Sequence, residues 1–242
     1  MTMTLAGAPQ PARDQVVAAE LSAKAEVLAI AADGREITTA FTVTTSTVTR
    51  AGVPGELLPK GTVITADSSG GKTVFSINGA AAAPELAQAL EVVIHMSNPK
   101  NRNDDQIFGS TTRRAVGDSW PVDGAAAVAD LVREGKLQVD PADFTGKTTV
   151  VELVPGGSAP ALRISAVMEL GKVAMPLPPG MSVTKGSFTG HFTGLFPVDV
   201  SKRSLSQSMS MDGKFDCAGD MQGKAMTMTI VIKQGIAASF TY

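Results

Sequence analysis

Thioethers and phenyl rings at alternating positions are the residues of this chain best placed to do chemistry. Met209 and Met211 share one side of a predicted strand, as do Met226 and Met228, while Ser208, Ser210, Thr227 and Thr229 take the other side. Phe188, Phe192 and Phe196 line one side of an earlier strand in the same way. Three uses are open to such a set. Unbranched methionines fill irregular gaps in a core, they form deformable surfaces for a lipid-like or peptide ligand, and converging thioethers, joined by Cys217 or Met221, suit Cu(I). Core packing is the commonest use of methionine. Among the functional uses, the expectation is an apolar binding surface formed by Phe188, Phe192, Met209, Met211, Met226 and Met228, with no metal and no cofactor.

Polar catalysis has less to draw on. The two histidines, His95 and His191, have no cysteine, histidine or carboxylate cluster at ligand spacing. His95 falls near the end of a predicted helix, where an imidazolium suits the negative end of the dipole, and His191 falls on the polar side of its strand. The sequence has no Gly-x-Ser-x-Gly elbow and no neighbouring Cys-His pair. Asp104, Asp105, Asp118 and Asp123 come nearest to an acid/base pair, yet a solvated loop, a turn and a helix cap account for all four. Gly70-Gly71-Lys72-Thr73 resembles the end of a phosphate loop, but alanine at position 66 breaks the spacing and Thr73 opens a strand. The chain is therefore expected not to be an enzyme, with a hydrolase of dispersed active site as an alternative.

Composition narrows the partners. The 242 residues are 43% hydrophobic and 18% charged, enough apolar material for a packed core, which excludes disorder for most of the chain. Basic residues number 21 against 23 acidic, a net charge of −2 that is too weak to gather nucleic acid, and aromatics for base stacking are only 5%. Cys217 has no partner for an internal disulfide and leaves the redox compartment open. Residues 1–10 lack the basic start and apolar run of an export signal, and no stretch reaches the ~18 apolar residues of a membrane helix.

The elements that must position these side chains follow from periodicity. Residues 1–13 are expected as a flexible leader, and 14–24 as a short helix capped by Asp14, with Val17, Leu21 and alanines at helical spacing. Strands at 27–31 and 37–49 flank Asp33-Gly34, a two-residue hairpin signal, with Phe41 and Val43 on one face and Thr42, Thr44 and Ser46 on the other. A second hairpin joins 61–66 to 73–77. Pro84 then opens an amphipathic helix bearing Leu86, Leu90, Val93 and Ile94 that ends near Met96, and Asp123 caps a second helix, 125–133, stopped by Gly135. Strands resume at Lys147. They cover 148–154 and 162–173 around a Pro155–Ser158 turn, then 183–196, 205–215, 224–232 and 237–241, while prolines exclude 175–180 from a central strand.

Strands, then helices, then strands, without regular βαβ alternation, indicate an α+β fold. The expected architecture is a mainly antiparallel, strongly curved sheet of about nine or ten strands with two or three covering helices. It would form one domain over 14–242, arranged as β lobes at 24–78 and 147–242 joined by a helical segment at 84–135.

The stretches Asp105-Gln106-Ile107-Phe108-Gly109 and Val116-Gly117-Asp118-Ser119-Trp120-Pro121-Val122 resemble a segment of uncharacterised bacterial exported β-rich proteins. That resemblance implies a periplasmic or secreted location, with any export signal removed from the chain, and carries no catalytic residues. The order of elements is also similar to the half-barrels of periplasmic lipoprotein carriers, a likeness of fold without a shared motif. The combined expectation is a non-enzymatic extracytoplasmic protein that binds a lipid-like ligand. A structural or protein-interaction module, working through a sheet edge or the Thr/Ser-rich face, is the other reading.

Overall fold

A computed structural model describes residues 2–5, 8–10, 17–50, 52–96, 98–102, 104–133, 137–155, 160–199, 204–221 and 223–241. The expected cap Asp14, the helix stop Gly135 and residues 156–158 of the expected turn lie outside the described residues. The chain divides into two compact units, a hairpin unit of residues 14–103 and a meander unit of residues 1–13 with 104–242. Both are mainly antiparallel β-structure with few helices.

Two short strands, β1 (Thr2–Leu5) and β2 (Ala8–Gln10), open the chain and belong to the meander unit. The leader expected over 1–13 is therefore partly strand, β1 pairing in antiparallel register with the last strand of the chain. Neither segment is long enough for alternation to reveal it.

The hairpin unit holds β3 (Val17–Ile30), β4 (Glu36–Arg50), β5 (Val53–Glu56), β6 (Val63–Asp67), β7 (Val74–Ile77), β8 (Ala80–Ala81) and α1 (Pro84–Val93). Its sheet has the order β3-β4-β6-β7-β8, with β5 on β4. Of the helix expected over 14–24, residues 14–16 lie outside the described residues and 17–24 are instead part of β3. Ala19, Leu21 and Ala23 are half-buried while Glu20, Ser22 and Lys24 are exposed, and this period of two, satisfied by pairing with β4, overrides alanine's helix propensity. The turn after β3 is also longer than the two residues expected. Ala31 N–H donates to Arg35 O at 2.8 Å and Gly34 N–H to Ala31 O at 3.0 Å, so Ala32, Asp33 and Gly34 form a three-residue loop with Gly34 at φ +86°.

Alternation in β4 changes phase part-way. Ser22 pairs with Thr45 but Ala23 with Val43, so Thr44 is an extra residue that bulges the strand. Ser46, expected on the polar face with Thr42 and Thr44, is therefore turned to the core side and only 6% exposed. Its hydroxyl donates to Leu58 O at 2.7 Å and accepts from Leu58 N–H at 2.8 Å. Around it Val43, Ile64, Ala66 and Phe75 pack against Leu90 and Ile94 beside α1. The helix starts at Pro84, as the missing amide proton allows, and Ile94, the extended residue that follows it, donates its N–H to Leu90 O.

The meander unit continues with α2 (Asp104–Phe108), β9 (Ser119–Pro121), α3 (Gly124–Arg133), a 3₁₀ turn at Pro141–Asp143, β10 (Phe144–Val154), β11 (Ala161–Gly171), β12 (Met181–Pro197), β13 (Ser206–Met221) and β14 (Lys224–Ser239). Its eight strands run in the order β2-β1-β14-β13-β12-β11-β10-β9, a sequential meander extended by the N-terminus. The strands expected at 224–232 and 237–241 are one strand, β14, paired with β13 along its whole length. Asp123 caps α3 as expected, accepting from Ala126 N–H at 2.9 Å. α2 was not expected, since five residues are too few to show a helical period.

One face of this sheet carries the core. Val122, Ala127 and Val128 pack on Phe144, Leu170, Phe215 and Cys217, with Ile107 and Phe108 of α2 alongside. Between β11 and β12 the proline-bearing segment, non-strand as expected, lies against the same face. Val173 N–H donates to Gly186 O at 3.2 Å and Asp220 N–H to Gly180 O at 2.9 Å. Cβ atoms at Gly186 and Gly219 would run into the carbonyls of Val173 and Gly180, so glycine at both positions admits the crossing backbone.

Candidate apolar binding face

Cross-strand register assigns every methionine and phenylalanine of the expected site to this core-bearing face. Phe188 pairs with Gly213, Phe192 with Met209 and Gly190 with Met211 across β12 and β13. On the far side of β13, Met209 pairs with Ile236, Met211 with Gln234, Cys217 with Met228 and Gly219 with Met226. Residues directly opposite in a ladder share a face, so all six lie on one side of the sheet.

They do not converge at one point. Met211 and Cys217, the partner of Met228, are six positions apart on β13, which at the rise of an antiparallel strand is about 20 Å. The four thioethers expected as a Cu(I) alternative are therefore split between the two ends of the β13–β14 hairpin. Phe188 and Met228 pack against the core beneath α3, and Met226 is 9% exposed. Phe192, Met209 and Met211 lie beyond that core and are half-buried.

Side chains that sequence reasoning left out of the site extend it. Leu162 pairs with Phe196, Ile164 with Gly194 and Leu153 with Leu162. These residues continue the apolar face past Phe192, and Leu153 is 53% exposed. Phe108 of α2 stacks on Phe192 with ring centroids 6.0 Å apart, and Phe192 meets Phe196 at 6.3 Å, so the rings mark the border between covered and open sheet. Over the open part the described residues on this face include Gln207 and Gln234 but no charged side chain. The opposite face at the same level carries Arg163, Asp212 and Lys233. The signal for the longer surface was the alternation of Leu162, Ile164, Ala166 and Met168; what alternation alone could not supply was which strand lies beside which.

The glycines of β12 and β13 serve the rings. A Cβ on Gly213 would stand 3.0 Å from the Phe188 ring, and one on Gly194 would collide with the Phe196 ring and come within 3.0 Å of Phe192. Aromatic rings thus lie over bare strand backbone, covering it in place of the missing side chains.

The titratable candidates are dispersed. His191 is exposed on the outer face, between Val167 and Ser210 in register, and His95 is exposed just beyond α1. Asp105 is exposed, Asp118 accepts from Ala115 N–H at 2.8 Å in the turn before β9, and Asp123 caps α3. The side chain of Asp104 is not described. Among the described residues no three histidine, cysteine or carboxylate side chains come together as a metal-ligand group. Gly70 and Gly71 form a tight turn, Gly71 N–H donating to Ser68 O at 2.8 Å, with Lys100 Nζ donating to Gly70 O at 3.1 Å. Burial, aided by the Asp216 charge, pushes the Cys217 thiol up from its ordinary range, which suits a packing residue rather than a nucleophile.

Trp120 sits on the core-bearing face opposite Thr148, its indole N–H donating to Phe108 O at 2.8 Å. The Arg114 guanidinium covers the ring at 5.2 Å. Gly117, at φ +94°, makes the turn that lets Gly117 N–H donate to Val150 O and Val150 N–H to Asp118 O. The 105–122 stretch thus ties α2 to the sheet. No protein-family model, curated protein or solved structure matches the chain. Among the described residues no helix is long and apolar enough to cross a membrane.

Proposed function

We propose that this protein is a non-enzymatic, extracytoplasmic binder of a lipid-like molecule, held on the open half of the eight-stranded sheet. The observation that carries the reading is an uncharged apolar face that continues beyond its own core. It runs from Leu153 and Leu162 through Phe196, Phe192 and Met209 to Ile236, half-buried or exposed. Three inter-strand spacings separate β11 from β14, about 15 Å, a width suited to a hydrocarbon chain lying across curved strands. Met209 and Met211 give that surface a deformable centre, and the absence of charge along it favours hydrocarbon over an ionic ligand. The extracytoplasmic location rests on the resemblance of residues 105–109 and 116–122 to exported β-rich proteins.

Native mass spectrometry of freshly purified protein, followed by solvent extraction, tests the reading. The expected result is a co-purifying lipid-like species, or saturable binding of a fluorescent fatty acid where extraction leaves the protein empty. A protein that carries nothing and binds no such probe would overturn it.

A further inference from the structure

The edge of the hairpin unit's sheet carries an inference separate from ligand binding. Among the described residues β3 is the outermost strand of its sheet, is 14 residues long and pairs with β4 alone. Strands in globular proteins usually run about 3–10 residues. A long edge with unpaired N–H and C=O groups is normally shortened, bulged or covered. Here residues 17–27 run without an extra residue, because the bulge at Thr44 falls on β4 and the first extra residue in β3 is Leu28.

The sequence of that run is complementary to itself when reversed. With Ser22 opposite Ser22, Glu20 faces the second copy's Lys24 and Lys24 its Glu20, while Leu21 faces Ala23 and Ala19 faces Ala25. No like charges oppose one another. Glu20, Ser22, Lys24 and Glu26 are exposed, so two ion pairs would form at the surface. Leu21, Ala23, Ala25 and Val27 pair with Ser46, Val43, Phe41 and Thr39, the core side of β4. Val27 is 37% exposed. Joining two such edges would extend the apolar side of the sheet continuously from one copy to the other. A shift that centred the pair on Ala25 would also match Lys24 with Glu26, but it would run through Leu28, where the bulge ends regular pairing.

We propose that β3 pairs antiparallel with β3 of a second copy of this chain, about a twofold axis at Ser22, making a symmetric dimer with one continuous sheet. Lys24, whose charge would lose water without gaining a partner beside a neutral strand, is matched by Glu20 only when the neighbour is this same strand in this register.

Light scattering of the full chain across a concentration series, with cross-linking, tests the proposal. The expected mass is twice the 24.9 kDa of one chain. Ser22→Cys should give a disulfide-linked dimer on mild oxidation, since residues opposite in an antiparallel ladder lie about 4.5–5.5 Å apart, within disulfide reach. Cys217 is buried and does not compete. Glu20→Lys should weaken dimerisation about tenfold by placing lysine opposite lysine twice, and Glu20→Lys with Lys24→Glu should restore it. A monomer at every concentration with no Ser22→Cys cross-link would overturn the proposal. So would a dimer that Ala25→Cys cross-links and Ser22→Cys does not, or one that the double exchange fails to restore.

Discussion

Gly186 of β12 lies directly beneath the carbonyl of Val173, whose own N–H donates to Gly186 O at 3.2 Å. The crossing segment between β11 and β12 is therefore seated against bare backbone. Gly186→Ala would drive a methyl group into that oxygen, with backbone rather than a flexible side chain as the obstacle, and should destabilise the protein by about 3 kcal/mol. Gly235→Ala, where a Cβ meets nothing within 4 Å, should change stability by no more than about 0.5 kcal/mol. Urea unfolding of the two variants separates these outcomes.

The Ser46 hydroxyl bridges both backbone groups of Leu58 from a buried position. Removing that oxygen leaves a buried N–H and C=O without their partner. Ser46→Ala should therefore lower stability by about 2 kcal/mol, while Thr44→Ala, at the exposed bulge residue, should stay within about 0.5 kcal/mol. The same unfolding measurement reads both.

These two positions also mark how much of the molecule the sequence discloses. Alternation correctly placed Val43 and Phe41 inside, and Leu162, Ile164, Ala166 and Met168 on one side of β11, because a half-buried strand must repeat every two residues. It failed at Ser46, since one bulged residue at Thr44 inverts the phase and nothing in a Thr-rich run announces where the bulge falls. In residues 17–24 the apolar residues are mostly alanine, whose helix propensity masks a period of two. Within single strands the residues of the expected apolar site were legible as face-mates, Phe188 with Phe192, Met209 with Met211 and Met226 with Met228, whereas the register alone joins the three faces into one. Leu153 was not, because its place opposite Leu162 depends on an extra residue at Val151 that restores it to the core-bearing side.

Arg35 holds Asp33 in the first hairpin loop and donates as well to the carbonyls of Asn98, Pro99 and Asn101. Its hydrogen bonds hold the Asp33 carboxyl below the ordinary value of 3.8. A lowered carboxylate pKa means that the folded form binds the proton more weakly than the unfolded chain. The stabilisation is complete above the unfolded value and disappears as pH falls through the folded one. An NMR titration should find the Asp33 midpoint below 3.8, and Arg35→Gln should return it towards that value. The same substitution removes the three long-range donor contacts, so amide exchange over residues 98–102 should accelerate.

Occupancy of the open sheet can be separated from stability by choosing a residue that the core does not use. Leu153 is 53% exposed and faces Leu162 on the apolar side, whereas Ser210 is exposed on the opposite face, beside His191 in register. Leu153→Lys places a charge where a hydrocarbon chain would lie and removes a leucine from its bed. Full burial of that leucine side chain by a ligand would contribute about 1.5–3 kcal/mol, so affinity for a fluorescent fatty acid should fall about tenfold or more. Ser210→Lys introduces the same charge on the other side and should leave affinity unchanged. Both variants should melt within a few degrees of the parent, since neither side chain is buried. Equal losses from the two would show that the probe follows overall charge rather than the apolar face.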